Sequence, residues 1–175
     1  MTQEALIRHC RQEAQTAALA QQFGAAISQF LQSHPGAHLN IALEGDLGAG
    51  KTTFARHCIQ GLGFAGRVKS PTYTLCEPYL LKLTHSTATN ITAYHFDLYR
   101  MRSALEWQEA GLAEHFDEPG FCLIEWPEKA QGTLPSFDLI IQMQAGAHED
   151  ERNIEIRALS GKGKQLLLKI DPANT

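Results

Sequence analysis

Apolar residues in the N-terminal segment recur at spacings near three and four. Leu19, Phe23, Ala26, Ile27, Phe30 and Leu31 fall on one helical face, which predicts a helix over residues 4–33. His34-Pro35-Gly36 ends it. His38–Glu44 (HLNIALE) then predicts a buried strand, Gly45–Gly50 a loop, and Lys51 the start of a second helix reaching about Leu62, with Gly61 and Gly63 at its end. Residues 68–81 predict an extended stretch broken by Pro71 and Pro78, and the polar run 82–90 a loop or hairpin tip. Residues 91–99 (ITAYHFDLY) and 121–126 (FCLIEW) predict strands, and 103–115 a helix between them. Two late strands follow at 139–143 and 154–159, with a polar turn at 145–153, and then a Leu-rich segment of open type. Strands alternating with helices imply an α/β fold. The expectation is a mostly parallel sheet flanked by helices, with an antiparallel addition near the C-terminus, forming one domain over residues 1–175.

Composition narrows the classes. With 43% hydrophobic residues, the 175-residue chain can build a core without disulfides or metal. A net charge of −4 argues against a protein that coats nucleic acid. Cys10, Cys58, Cys76 and Cys122 form no CxxC pair and read as free thiols of a reducing compartment. His34 and His38 are spaced like zinc ligands on a helix, but Pro35 and Gly36 lie between them. No leader-like or membrane-spanning apolar run is visible, so a cytoplasmic location is expected.

The chemistry concentrates at Gly45-Asp46-Leu47-Gly48-Ala49-Gly50-Lys51-Thr52, which fills every fixed position of the phosphate-binding pattern GxxxxGK[ST]. It follows a predicted strand and opens a predicted helix, as the chemistry requires. Glycines let the backbone turn its N–H groups inward, at the positive end of the following helix. Lys51 would reach the β- and γ-phosphates of ATP, and Thr52 would place its hydroxyl on Mg²⁺.

Phosphoryl transfer also needs a carboxylate near the metal and a group that orients the attacking oxygen. Glu125 ends an apolar strand, as a Mg²⁺-linked acid does. Asp97 lies late in its own strand, where alternation puts His95, Asp97 and Tyr99 on one face. Such an acid needs a partner, either Mg²⁺ or one of Arg100 and Arg102. Ser70-Pro71-Thr72-Tyr73-Thr74 reads either as a plain turn or as a loop presenting Thr72 to the γ-phosphate.

Taken together, LEGDLGAGKTTFAR (43–56), KSPTYTL (69–75), YHFDLYR (94–100) and CLIEWPEKA (122–130) resemble the TsaE family, also called YjeE. Its members are small bacterial ATPases needed to make threonylcarbamoyladenosine in tRNA, and the likeness spans about residues 16–144. The resemblance implies that Gly45 to Thr53, Thr53 included, bind the nucleotide and that Thr72 belongs to a switch-like loop. It implies that Asp97 and Glu125 act near Mg²⁺, that Trp126 is a sensitive neighbour of Glu125, and that Thr16 lines the adenine side. It implies TsaD and TsaB as protein partners. The polar loop 82–90 and the C-terminal third carry no matching motif.

Three other readings are weighed. A small-molecule kinase is also built on a P-loop, but no arginine-rich lid is visible, and Arg100 and Arg102 are the nearest to a cluster. A GTPase would need NKxD, which is missing, and Asp117-Glu118-Pro119-Gly120 matches DxxG in the wrong context. An interaction module that binds ATP without hydrolysing it fits poorly with Asp97 and Glu125. No arginine finger is evident in the chain, which implies slow hydrolysis until a partner completes the site.

Overall fold

Leu39, Ile41, Ala42 and Leu43 are inaccessible to solvent, which makes β2 (His38–Glu44) the central strand of the sheet. The computed structural model describes residues 4–83 and 90–171. Chain order runs β1 (Ala5–Cys10), α1 (Glu13–Ser33), β2, α2 (Lys51–Gly61), β3 (Cys76–Lys82), β4 (Asn90–Asp97), α3 (Glu106–Glu109), β5 (Gly120–Glu125), β6 (Leu139–Ala145), β7 (Arg152–Ala158) and α4 (Gly161–Ile170). The strands form one sheet in the order β1-β7-β6-β2-β5-β4-β3.

Strand pairing corrects the expectation of a mostly parallel sheet. Among the described residues, β2–β5, β2–β6 and β4–β5 are parallel. The pairs β1–β7, β3–β4 and β6–β7 are antiparallel. Parallel pairing is confined to the centre, where helical crossovers return the chain. Short connections and the edges supply the rest. The antiparallel late pair is found where the sequence predicts it.

Alternation assigns the two faces. Leu39, Ile41, Leu43, Phe121, Leu123 and Ala93 join α1, α2 and α4 in the larger core. Cys122, Ile124, Tyr94 and Phe96 face Trp107, Phe116 and Ala130 in a smaller one. The odd-numbered positions of β4 and β5 therefore look toward α2, and those strands end on Asp97 and Glu125.

Several local expectations change. Residues 5–10 are a strand, not the first turns of a helix. Leu6 and Cys10 are buried at strand spacing while the segment pairs with Arg152–Arg157, and α1 starts only at Glu13. The predicted helix 103–115 is broken at Gly111 (φ +77°), leaving α3 and a 3₁₀ turn over Leu112–Phe116. Extended structure between 68 and 81 begins only at Cys76, because the Leu75 amide closes a turn onto the Pro71 carbonyl. Pro78 is tolerated because β3 is an edge strand. Tyr99 lies in the turn after β4, off the strand face shared by His95 and Asp97. The Leu-rich tail is α4, capped by the Ser160 hydroxyl accepting the Gly163 amide and burying Leu166, Leu167 and Ile170. Residues 84–89 of the predicted loop lie outside the described residues. Among the described residues, no helix is long and apolar enough to cross a membrane.

The helix pair that backs the site is packed backbone to backbone. A Cβ on Gly24 of α1 would sit 2.2 Å from the Cys58 carbonyl oxygen of α2. One on Gly61 would sit 2.6 Å from the Gln21 carbonyl oxygen. Alanine normally stabilises a helix interior by up to about 1 kcal/mol relative to glycine. Here the close approach reverses the sign. Gly24→Ala is expected to destabilise the chain by about 2 kcal/mol, as overpacking does, which urea unfolding will read as a lower midpoint at unchanged slope.

Candidate functional site

Gly45 begins the turn out of β2 because no other residue fits. A Cβ there would lie 2.4 Å from the Met143 carbonyl oxygen, and φ is +149°. Gly48 and Gly50 also adopt left-handed φ, +81° and +96°. Ala49 donates its amide to the Asp46 carbonyl and Phe54 donates to Gly50, closing the loop onto α2. The amides of Lys51, Thr52 and Thr53 precede the first intrahelical bond, so among the described residues they are open donors at the positive end of α2.

Lys51 is 4% exposed. Its Nζ donates to the carbonyls of Gly45 (2.5 Å) and Asp46 (3.0 Å) and lies 4.0 Å from the centre of the Trp126 ring. Burial pulls its pKa below the usual lysine range, against the opposing pull of Glu125, Glu128, Asp97 and Asp46.

Asp97 and Glu125 are direct neighbours in the parallel register of β4 and β5. Glu125 is 2% exposed and held at both oxygens. Its Oε2 accepts the Thr52 hydroxyl at 3.0 Å, and its Oε1 accepts His95 Nε2 at 2.7 Å. His95 is fully buried and its Nδ1 has no partner among the described residues. Donation to the Glu125 carboxylate places a ring proton on Nε2, and Nδ1 is the end left unmatched among the described residues. Asp97 accepts the Tyr99 amide at Oδ1, 3.1 Å away. Burial, with the nearby Glu125 charge, raises its pKa above the ordinary carboxylate range.

These residues surround a cleft of about 510 Å³, lined by Leu47, Gly48, Gly50–Thr53, Ser70, Thr72, Asp97, Tyr99, Arg100, Glu125, Trp126 and Arg152. Thr72 shares a hydrogen bond with Ser70 at its rim. A smaller cavity of about 210 Å³ adjoins it through Gly50, Thr53 and Arg152, and Thr16 lines that one. The Thr16 hydroxyl is buried without a partner among the described residues. Gly45 and Asp46 line a separate groove with Trp126, behind the loop. Trp126 holds a left-handed backbone (φ +57°) immediately before Pro127, a strained geometry that aims its ring at Lys51 and Tyr99.

Three further participants emerge from the fold. His95 shares a strand face with Asp97 in the sequence pattern, but its bond to Glu125 depends on two strands lying side by side. Arg100 and Arg152 both line the cleft, although the sequence shows no arginine lid or finger. The Arg100 guanidinium sits 4.7 Å from the Tyr73 ring centre.

Open amides, one buried ammonium, a hydroxyl and two adjacent carboxylates suit a polyphosphate accompanied by a hard divalent cation. Among the described residues, no group of three or more His, Cys, Asp or Glu side chains could hold a metal by itself. Thr52 and Glu125 are the groups that could contact such a cation, with Asp97 beside them.

The raised pKa of Asp97 has a signed consequence. The folded chain resists its ionisation, so the stability carried by the protonated form is complete below the unfolded value near 4 and is lost as pH rises through the raised one. Asp97→Asn keeps the acceptor for Tyr99 and removes the buried charge. In chelator, it is expected to raise the unfolding temperature at pH 7.5 by about 2–4 °C, with the gain fading toward pH 4, as calorimetry at the two pH values will show.

The family model described as threonylcarbamoyl adenosine biosynthesis protein TsaE matches residues 10–154. A relative from Haemophilus influenzae, the tRNA threonylcarbamoyladenosine biosynthesis protein TsaE, is 40% identical over 146 residues, covering 83% of this chain and 87% of its own. The protein of that name from Bacillus subtilis is 38% identical over 126 residues, covering 72% and 73%. The crystal structure of Bacillus subtilis YdiB superposes with a TM-score of 0.72 at 28% identity, covering 98% of this chain and 97% of that one. A family match over most of the sequence, relatives of this identity and a shared full-length fold agree: the chain belongs to the TsaE family, the threonylcarbamoyladenosine biosynthesis proteins.

Proposed function

We propose that this chain binds ATP with Mg²⁺ on the 45–52 loop and hydrolyses it slowly, in the cytoplasm, in support of tRNA threonylcarbamoyladenosine formation by TsaD and TsaB. The observation that carries the reading is the bond from Thr52 to Glu125, which brings a helix start with open amides against the paired acids of β4 and β5. Membership of a threonylcarbamoyladenosine biosynthesis family supplies the biological setting. TsaD and TsaB, as the proteins that transfer the threonylcarbamoyl group, are partners implied by the resemblance.

In this reading Lys51 turns from the Gly45 and Asp46 carbonyls to the β- and γ-phosphates. The first-turn amides of α2 take the phosphate oxygens, and Thr72 meets the γ-phosphate from the rim. Mg²⁺ supplies charge neutralisation across the transferring phosphoryl group. Thr52 and Glu125 hold it, and Asp97 or Glu125 orients the attacking water. His95 keeps the Glu125 carboxylate turned toward Thr52. Thr16, whose hydroxyl has no partner among the described residues, lines the base side. Both cleft arginines are engaged by the chain itself, Arg100 on Tyr73 and Arg152 on loop carbonyls, which supports weak turnover until a partner adds charge.

Purified wild type is expected to release phosphate at about 10⁻⁴ to 10⁻² per second, the range of P-loop enzymes without a working arginine finger. Turnover of tens per second would sink this reading. Lys51→Ala should lose most ATP affinity and all hydrolysis, while Glu125→Ala should keep binding and lose hydrolysis. Equal phosphate release from Glu125→Ala and wild type would favour a module that uses ATP only as a structural ligand. Pull-down with a non-hydrolysable ATP analogue should enrich TsaD and TsaB over the nucleotide-free sample.

A further inference from the structure

Arg152, the first residue of β7, stands between the cleft and the smaller cavity beside Thr16. Its guanidinium binds main chain throughout. Nε donates to the Ala49 carbonyl at 2.9 Å, and Nη2 lies 3.5 Å from the Gly48 carbonyl. Nη1 donates to the carbonyls of Glu149 and Glu151, at 2.5 and 2.8 Å. One side chain thus fastens the phosphate loop to the turn between β6 and β7.

What this fastening does follows from peptide geometry. In a planar trans peptide the C=O of one residue and the N–H of the next point in opposite directions. Holding the Ala49 carbonyl on the Arg152 side turns the Gly50 N–H to the other side. Gly50 has no Cβ and a left-handed φ of +96°, so its own sterics do little to choose between the two orientations of that peptide. Its amide donates to no carbonyl among the described residues. An external clamp is what selects the orientation.

We propose that Arg152 is a positioning residue for phosphate binding, acting through the loop backbone by fixing the 49–50 peptide so that the Gly50 amide is free to face the phosphates. The inference rests on the nucleotide reading above and adds a residue to it from the C-terminal part of the chain. It differs from direct contact with the base, because an amide cradle recognises phosphate alone.

The test compares ligands that differ in phosphate. Titration calorimetry of Arg152→Gln should show Kd for ATP and ADP about tenfold weaker than wild type, the effect of one charge-assisted hydrogen bond. Adenosine binding, followed by ligand-observed NMR, should be unchanged. Arg152→Lys keeps one donor and should fall between, which covers the case in which the glutamine variant folds poorly. An equal loss for adenosine and ATP would put Arg152 on the base and overturn the inference, as would unchanged ATP affinity in both variants. A wild-type chain with no ATP affinity would instead remove the nucleotide reading itself, before Arg152 is in question.

Discussion

The hydrogen bond from Thr52 to Glu125 joins the first turn of α2 to the last residue of β5, and the site depends on it. It exists because β5 ends on the face that α2 covers, with Phe121 and Leu123 buried beneath the same helix. The parallel register then brings Asp97 alongside Glu125. His95, two residues back on β4, closes the other carboxylate oxygen. A buried acid with both oxygens matched is affordable in a low-dielectric interior, whereas one left open is not.

Around that bond the chain accepts local disadvantages. Lys51 is buried and its ammonium is disfavoured by burial. Asp97 is held where ionisation is opposed. Trp126 keeps a left-handed backbone on a residue with a large side chain. Strain and desolvation of this kind gather where a structure is built to receive charge. The tight glycine-mediated contact between α1 and α2 supplies a rigid base beneath them.

The parts legible in the sequence are those set by local chemistry. GxxxxGK[ST] fixes its own loop, since only glycine suits Gly45 and Gly50, and β2 occupies the predicted span His38–Glu44. Both acids lie at strand ends as expected. What escaped depends on distant pairing. Residues 5–10 become a strand only because β7 lies beside them, and the even mix of parallel and antiparallel pairs is decided by which edges meet. Arg152 carries no local signal, because its meaning comes from a carbonyl about a hundred residues away.

The contact between Lys51 and Trp126 also gives the chain an optical reporter of its own. The sequence holds two indoles. Trp107 is 2% exposed, bonded to the Thr133 hydroxyl and outside the cleft lining. Trp126 has the Lys51 ammonium 4.0 Å from its ring centre, so a displacement of that lysine would change the surroundings of this indole without any attached dye.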